Sequence, residues 1–127
     1  MEIDHVVLYA KDPAASAEFY GRVVGLPAER VEEYRAGMVS FPSVRVSPHS
    51  VIDLMGSGDG PHPTLNHICL AMSEEELNAL RARLAEHHVP IVATMSDSFG
   101  ARGTAPHTFY FEDPDGNVIE ARYYSHP

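Results

Sequence analysis

Asp4-His5-Val6-Val7-Leu8-Tyr9-Ala10 returns 62 residues later as Asn66-His67-Ile68-Cys69-Leu70-Ala71-Met72, alike in character at every position. Each copy opens with an acidic or amide residue, then a histidine, then an apolar segment of strand type. A pair at this separation in a chain of 127 residues points to one structural unit used twice.

Reading outward from the two copies, a helix follows each strand. Asp12-Pro13 supplies an N-cap with proline at the first helical position, and Ala17, Tyr20, Val23 and Val24 form an apolar face that ends at Gly25. In the second half Ser73 and Glu76 have capping-box spacing, and Leu77, Leu80 and Leu84 recur at helical spacing until Val89-Pro90, the counterpart of Leu26-Pro27. Three strands are then expected in each half: near Glu29–Tyr34, Gly37–Val46 and Val51–Met55, and near Ile91–Met95, Thr108–Glu112 and Val118–Tyr124. Asp113-Pro114-Asp115-Gly116-Asn117 predicts a tight hairpin turn, because Pro presets one backbone angle and Gly or Asn accepts a positive one. Gly56–Pro63 reads as the linker. The expectation is an α+β chain with one domain over residues 1–127. It consists of two tandem βαβββ modules, about 1–56 and about 65–127, joined by a linker at about 57–64.

Composition narrows the partners. A formal charge of −9 with no Lys/Arg cluster disfavours nucleic acid. No apolar run approaches the roughly 20 residues of a membrane span. Met1-Glu2 leads straight into a strand-like segment without a basic leader, so a cytoplasmic protein with no membrane partner is expected. The single cysteine, Cys69, can form neither an internal disulfide nor a multi-thiolate metal site, which leaves any metal to histidines and carboxylates. Eight histidines make that search worthwhile.

The repeat extends to the module ends, where Val51-Ile52-Asp53-Leu54 corresponds to Val118-Ile119-Glu120-Ala121. Each half therefore begins with a histidine and ends with a carboxylate. A carboxylate inside an apolar strand must face water, a partner or a metal, since burying it alone is costly. Two imidazoles and one carboxylate on one metal leave adjacent positions open, and two oxygens of one substrate can fill them.

The paired histidines, Asp12-Pro13 with Phe19-Tyr20 and Val24-Gly25-Leu26, and the tail Phe109-Tyr110-Phe111-Glu112-Asp113-Pro114-Asp115-Gly116-Asn117-Val118-Ile119-Glu120 resemble the vicinal oxygen chelate superfamily. That superfamily comprises glyoxalases, bleomycin-resistance proteins and extradiol dioxygenases, and the resemblance covers nearly the whole chain. It implies modules whose sheets pair around a cleft, and a homodimer. It also implies one divalent ion (Fe, Mn, Ni, Co or Zn) held by His5, His67 and Glu120. Asp53 takes the place of a fourth ligand or base, where glyoxalase I has glutamate. Asp is one methylene shorter and is equally readable as a hydrated strand residue.

Val7 and Cys69 lie two residues after the histidines, on the same side of their strands, and are candidate pocket walls. Arg122, two residues after Glu120, could anchor an anionic substrate group or form a salt bridge. His107 and Tyr110 flank the last hairpin as further pocket candidates, and Ser96–Thr104 reads as a loop, with a lid as the functional alternative. Neither a phosphate loop nor a nucleophile elbow is present.

The activity implied by the resemblance is a glyoxalase-like lyase or isomerase step on a small molecule with two adjacent oxygens. An extradiol-type dioxygenase, a fosfomycin-type thiol transferase and a metal-free bleomycin-type binding protein are the alternatives.

Overall fold

A computed structural model describes residues 2–58 and 65–126, and these fall into two units: residues 2–58 with Asp113–Asp115, and Leu65–Glu112 with residues 116–126. Most of the expected linker, residues 59–64, lies outside the described residues.

In the first unit β1 (His5–Ala10) leads to α1 (Pro13–Phe19), which widens into a π-helical turn over Tyr20–Val24. Asp12 caps α1 by accepting from the Ala15 N–H, and Gly25 closes the π turn with φ 90°. That positive angle is one glycine adopts without a Cβ clash, so the helix stops where the sequence predicts. β2 (Ala28–Glu29), α2 (Val31–Arg35), β3 (Ser43–Ser47) and β4 (Ser50–Gly56) complete the unit. The sheet order is β1-β4-β3-β2, with β1 and β4 parallel and the other pairs antiparallel.

The second unit repeats this topology. β5 (Ile68–Met72), α3 (Glu74–Glu86), β6 (Ile91–Gly100), β7 (Gly103–Glu112) and β8 (Val118–Tyr123) form a sheet of order β5-β8-β7-β6, again with its outer pair β5 and β8 parallel. The predicted capping box at Ser73 and Glu76 is present in both directions. The turn after β7 is tied by the Asp115 N–H donating to Asp113 Oδ1, with Gly116 at φ 81°. Two tandem βαβββ modules are therefore the architecture.

Three expectations need correction. The strand near Glu29–Tyr34 is only the bridge at Ala28–Glu29. Arg30 then turns left-handed, with φ 64°, and Val31–Arg35 coils into a helix. Val31 and Tyr34 stand at i, i+3, the spacing of a helix face, and Arg35 ties back to Glu32 and Glu18. The strand over Gly37–Val46 starts at Ser43, because Gly37 has φ 75° and the segment before Ser43 is irregular. Ser96–Thr104 is not a loop: β6 runs on to Gly100 and β7 begins at Gly103, so only Ala101-Arg102 turn.

Strand alternation gives each sheet an apolar face under its helices and a second, polar face. In unit 1, Leu8, Ala10, Ile52 and Leu54 pack with Ala17, Tyr20 and Val23, and the Tyr20 hydroxyl donates to Asp113 Oδ2 at 2.8 Å. In unit 2, Leu70, Phe109, Phe111, Ile119 and Ala121 are buried together with Leu77, Leu80 and Leu84 of α3. Each such side chain contributes on the order of 1.5–3 kcal/mol by leaving water. Because alternate residues are committed to these cores, His5, Val7, Asp53, Cys69, Glu120 and Arg122 are sent to the opposite faces. No helix among the described residues is long and apolar enough to cross a membrane.

Candidate metal centre

The second unit carries the most developed polar cluster. β8 is buried on both sides: Ile119 and Ala121 enter the core, while Glu120 (1 % exposed) and Arg122 (5 %) lie on the other face. Register places Cys69 and Tyr110 beside Glu120, and Thr108 beside Arg122.

The two oxygens of Glu120 have different neighbours. Oε2 accepts from the Thr108 hydroxyl at 2.6 Å, from Arg122 Nε at 3.1 Å and from Arg122 Nη2. Oε1 faces His67 Nε2 at 3.1 Å. Burial alone would raise the carboxyl pKa, but the hydrogen bonds from Thr108 and Arg122, with the guanidinium charge, outweigh it and hold Glu120 below the usual glutamate value. Arg122 shows the same balance in reverse: desolvation opposes its charge, and the bonds to Glu120 and Tyr124 raise its pKa. Its Nη2 also donates to Ser98 Oγ at 3.2 Å, and Nη1 lies 3.4 Å from both the Ser98 carbonyl and the Tyr124 hydroxyl. The guanidinium is thus committed to Glu120 and to the end of β6.

His67 is oriented from both sides. Its Nδ1 is 2.6 Å from Asn66 Oδ1, and its ring meets Tyr110 edge-on with centroids 5.7 Å apart. At that separation a ring with its hydrogen on Nε2 donates to Glu120 Oε1, and a ring with its hydrogen on Nδ1 leaves two lone-pair atoms facing each other, an arrangement that a bridging cation would stabilise. An imidazole nitrogen and a carboxylate oxygen are both donors that a divalent ion takes. Cys69 is exposed, yet its thiol is pushed up to about 11 by desolvation and by the Glu120 charge, so it is poorly suited to act as a nucleophile. Desolvation, then the Glu120 charge, also raises the Tyr110 hydroxyl. His107 points from the face of β7 opposite Thr108 and Tyr110 and lies by Tyr123, with centroids 6.2 Å apart, so it does not join this cluster.

In the first unit His5 and Asp53 share the polar face, with Val7 in register with Asp53. His5 Nδ1 is 2.9 Å from Asp4 Oδ2. That bond raises the His5 pKa, desolvation opposes it, and the charge of Asp53 adds to it. Asp53 is nearly buried and accepts from the Ser43 hydroxyl at 2.6 Å, while Arg30 donates to the same Ser43 oxygen at 3.1 Å. No ion pair joins His5 to Asp53 among the described residues. Within neither unit do three His, Cys, Asp or Glu side chains converge for a metal, among the described residues.

The sequence reading missed Thr108, Ser98, Ser43 and Gly100. Thr108 had a signal: it lies two residues before Tyr110, on the same strand face. Gly100 had none, because its role depends on a distant strand. A Cβ built there would overlap the Arg122 guanidinium and the Tyr124 hydroxyl, so a larger residue would have to displace these side-chain ends.

The family model for the Glyoxalase/Bleomycin resistance protein/Dioxygenase superfamily matches residues 2–121. The chain belongs to that superfamily. It is 27% identical over 123 residues to Virulence protein STM3117 of Salmonella typhimurium, covering 96% of this chain and 83% of that one. An integron cassette protein from the mobile metagenome of V. cholerae has 26% identity and a TM-score of 0.70, over 98% of this chain and 96% of that chain. A glyoxylase/bleomycin resistance protein/dioxygenase domain from Frankia sp. EAN1pec, at 22% identity, shares the fold with a TM-score of 0.73 over 99% and 95% of the two chains. Enzymes are common in this superfamily, and its members often use a divalent metal.

Proposed function

We propose that this superfamily member is a glyoxalase-like, metal-dependent enzyme acting on a small molecule with two adjacent oxygens. The observation that carries the reading is the apposition of His67 Nε2 and Glu120 Oε1 at 3.1 Å, with the second carboxylate oxygen held away by Thr108 and Arg122. His67 and Glu120 would hold the ion with His5, and Asp53 is the candidate fourth ligand or base. When bound, the ion would supply Lewis-acid stabilisation of an enolate or oxyanion.

The protein's own contributions follow from the cluster. Glu120, with a lowered pKa and its Oε1 turned to His67, suits an ionised single-oxygen ligand better than a proton carrier. Asp53 accepts from Ser43, whose oxygen accepts from Arg30, so it has no direct guanidinium contact of the kind Glu120 has and stays the candidate base. Val7, Cys69 and Tyr110 would shape the pocket, and Arg122 would act on substrate only through Glu120.

Elemental analysis after exposure to a panel of divalent ions tests this. About one equivalent of metal is expected in the native protein, with loss in His5→Ala, His67→Ala and Glu120→Ala. Metal content unchanged in folded Glu120→Ala would overturn the ligand assignment. The charge of −9 favours a second reading, a metal-free protein that sequesters a cationic drug. Absence of metal from every sample together with tight bleomycin binding would establish that instead.

A further inference from the structure

The first unit holds a recess of about 550 Å³ between the start of α1, α2 and the turn before β8. Lys11, Asp12, Ser16, Tyr34, Pro114 and Asp115 line it, all within that unit. Its volume is that of an ordinary small-ligand pocket. Ser16 is the anomaly: it is 1 % exposed, and its hydroxyl has no hydrogen-bond partner among the described residues. A helical serine can settle its hydroxyl on the carbonyl one turn back. Here the Asp12 carbonyl takes the Ser16 N–H at 2.9 Å and the hydroxyl is left over. An unpaired buried hydroxyl is unfavourable, and alanine, which the helix uses at Ala14, Ala15 and Ala17, would avoid it.

The charged groups define what would complete the recess. Asp12 Oδ1 accepts from the Ala15 N–H at 3.1 Å, and Asp115 Oδ1 accepts from the Lys11 N–H at 2.8 Å. Each carboxylate is thereby fixed by the backbone through one oxygen. Lys11 is the only lysine of the chain, and its ammonium group is in no ion pair among the described residues. Two carboxylates disfavour a plain anion and the ammonium disfavours a plain cation, so each charge acts as a filter. We propose that this recess binds a small zwitterion of the free α-amino acid class. The ligand's ammonium group is set against Asp12 and Asp115 and its carboxylate against Lys11, with the Ser16 hydroxyl donating to one carboxylate oxygen. Tyr34 and Pro114 supply a wall for its side chain. The site is separate from the proposed metal chemistry, since none of His5, Asp53, His67 and Glu120 lines it.

Because Lys11 is the only lysine, full-length protein labelled with 13C-lysine gives one side-chain reporter of the recess in 1H–13C NMR spectra. Glycine, L-serine and L-leucine are titrated, with acetate and ethylammonium at matched ionic strength as half-ligands. At least one amino acid should shift the Lys11 signal saturably, at concentrations about tenfold or more below those at which either half-ligand acts. Ser16→Ala should weaken that amino acid about tenfold while the thermal midpoint stays equal or rises, because the variant loses a ligand bond and an unpaired hydroxyl together. Asp12→Asn keeps a capping side chain and should weaken binding as well. Absence of a saturable shift with all three amino acids would overturn the proposal. Acetate or ethylammonium acting as well as the amino acids would also overturn it, since that is counter-ion exchange at a surface lysine. Undiminished affinity in folded Ser16→Ala would do the same, leaving the hydroxyl a packing defect of α1.

Discussion

His5 with Asp53 and His67 with Glu120 occupy equivalent places in two units of identical topology, yet only the second pair is in contact. Val7 pairs with Asp53 and Cys69 with Glu120, so the backbone register is the same. Side-chain length and charge compensation make the difference. Glutamate has one more methylene, and its Oε1 lies at the imidazole. Aspartate stays back, accepting from Ser43. Glu120 also has a buried cation as its direct partner, whereas Asp53 reaches Arg30 only through a hydroxyl. A duplicated module can thus keep one scaffold while its two carboxylates take different chemical roles.

Removing the compensation should separate the two halves most strongly. Arg122→Met leaves a carboxylate that is 1 % exposed without its cation, and a loss of about 3–5 kcal/mol in urea denaturation is expected. Adding Glu120→Gln in the same chain should recover much of it, because the cost lies in the stranded charge. Ser43→Ala in the first unit should cost only about 1–3 kcal/mol. Equal losses in the two units would break the contrast.

Acid should act through the same group. The folded pKa of Glu120 lies below the unfolded value of about 4.5. Its contribution to stability is therefore complete above that pH and is lost as pH falls through the folded value. Denaturation midpoints measured downward from pH 5 should decline less steeply in Glu120→Gln than in the native protein. Parallel declines would mean that Glu120 is not preferentially ionised in the folded state.

Gly100→Ala gives a smaller effect by a different route. The added methyl would overlap Arg122 and Tyr124, so Arg122 must shift, at a cost of about 1–3 kcal/mol. Metal affinity should fall along with stability, since the displaced guanidinium no longer holds Glu120 Oε2. Alanine tolerated with neither change would show that Arg122 is not held by the β6 backbone.

These contrasts mark what the sequence could disclose. The repeated Asp/Asn-His pairs and the matched Asp53 and Glu120 positions made the βαβββ order legible, since strand periodicity and helix capping are local signals. Val31–Arg35 escaped because two apolar positions, Val31 and Tyr34, are too few to establish a helical period, and Arg30's left-handed backbone has no sequence marker. The length of β6 and β7 escaped because Ser96–Thr104 is polar and glycine-containing. Pairing with β7 and the bonds from Arg122 to Ser98 order a stretch whose composition suggests a loop. Arg122 was visible as a residue on the Glu120 face, but whether it would meet substrate or its own carboxylate depended on packing across strands.

The smallest test concerns how Asp53 acts on His5. The His5 pKa is raised first by the hydrogen bond to Asp4, against desolvation, and less by the charge of Asp53. Asp53→Asn should therefore lower the His5 titration midpoint, seen by NMR of its ring protons, but by less than Asp4→Asn does. That order holds only if Asp53 stays turned toward Ser43 and acts through space. If Asp53→Asn shifts His5 more than Asp4→Asn, the carboxylate must touch the ring, and the two modules would have the same histidine–carboxylate pairing after all. If Asp53→Glu instead brings His5 toward the behaviour of His67, the missing methylene is the cause of the asymmetry rather than the surrounding charges.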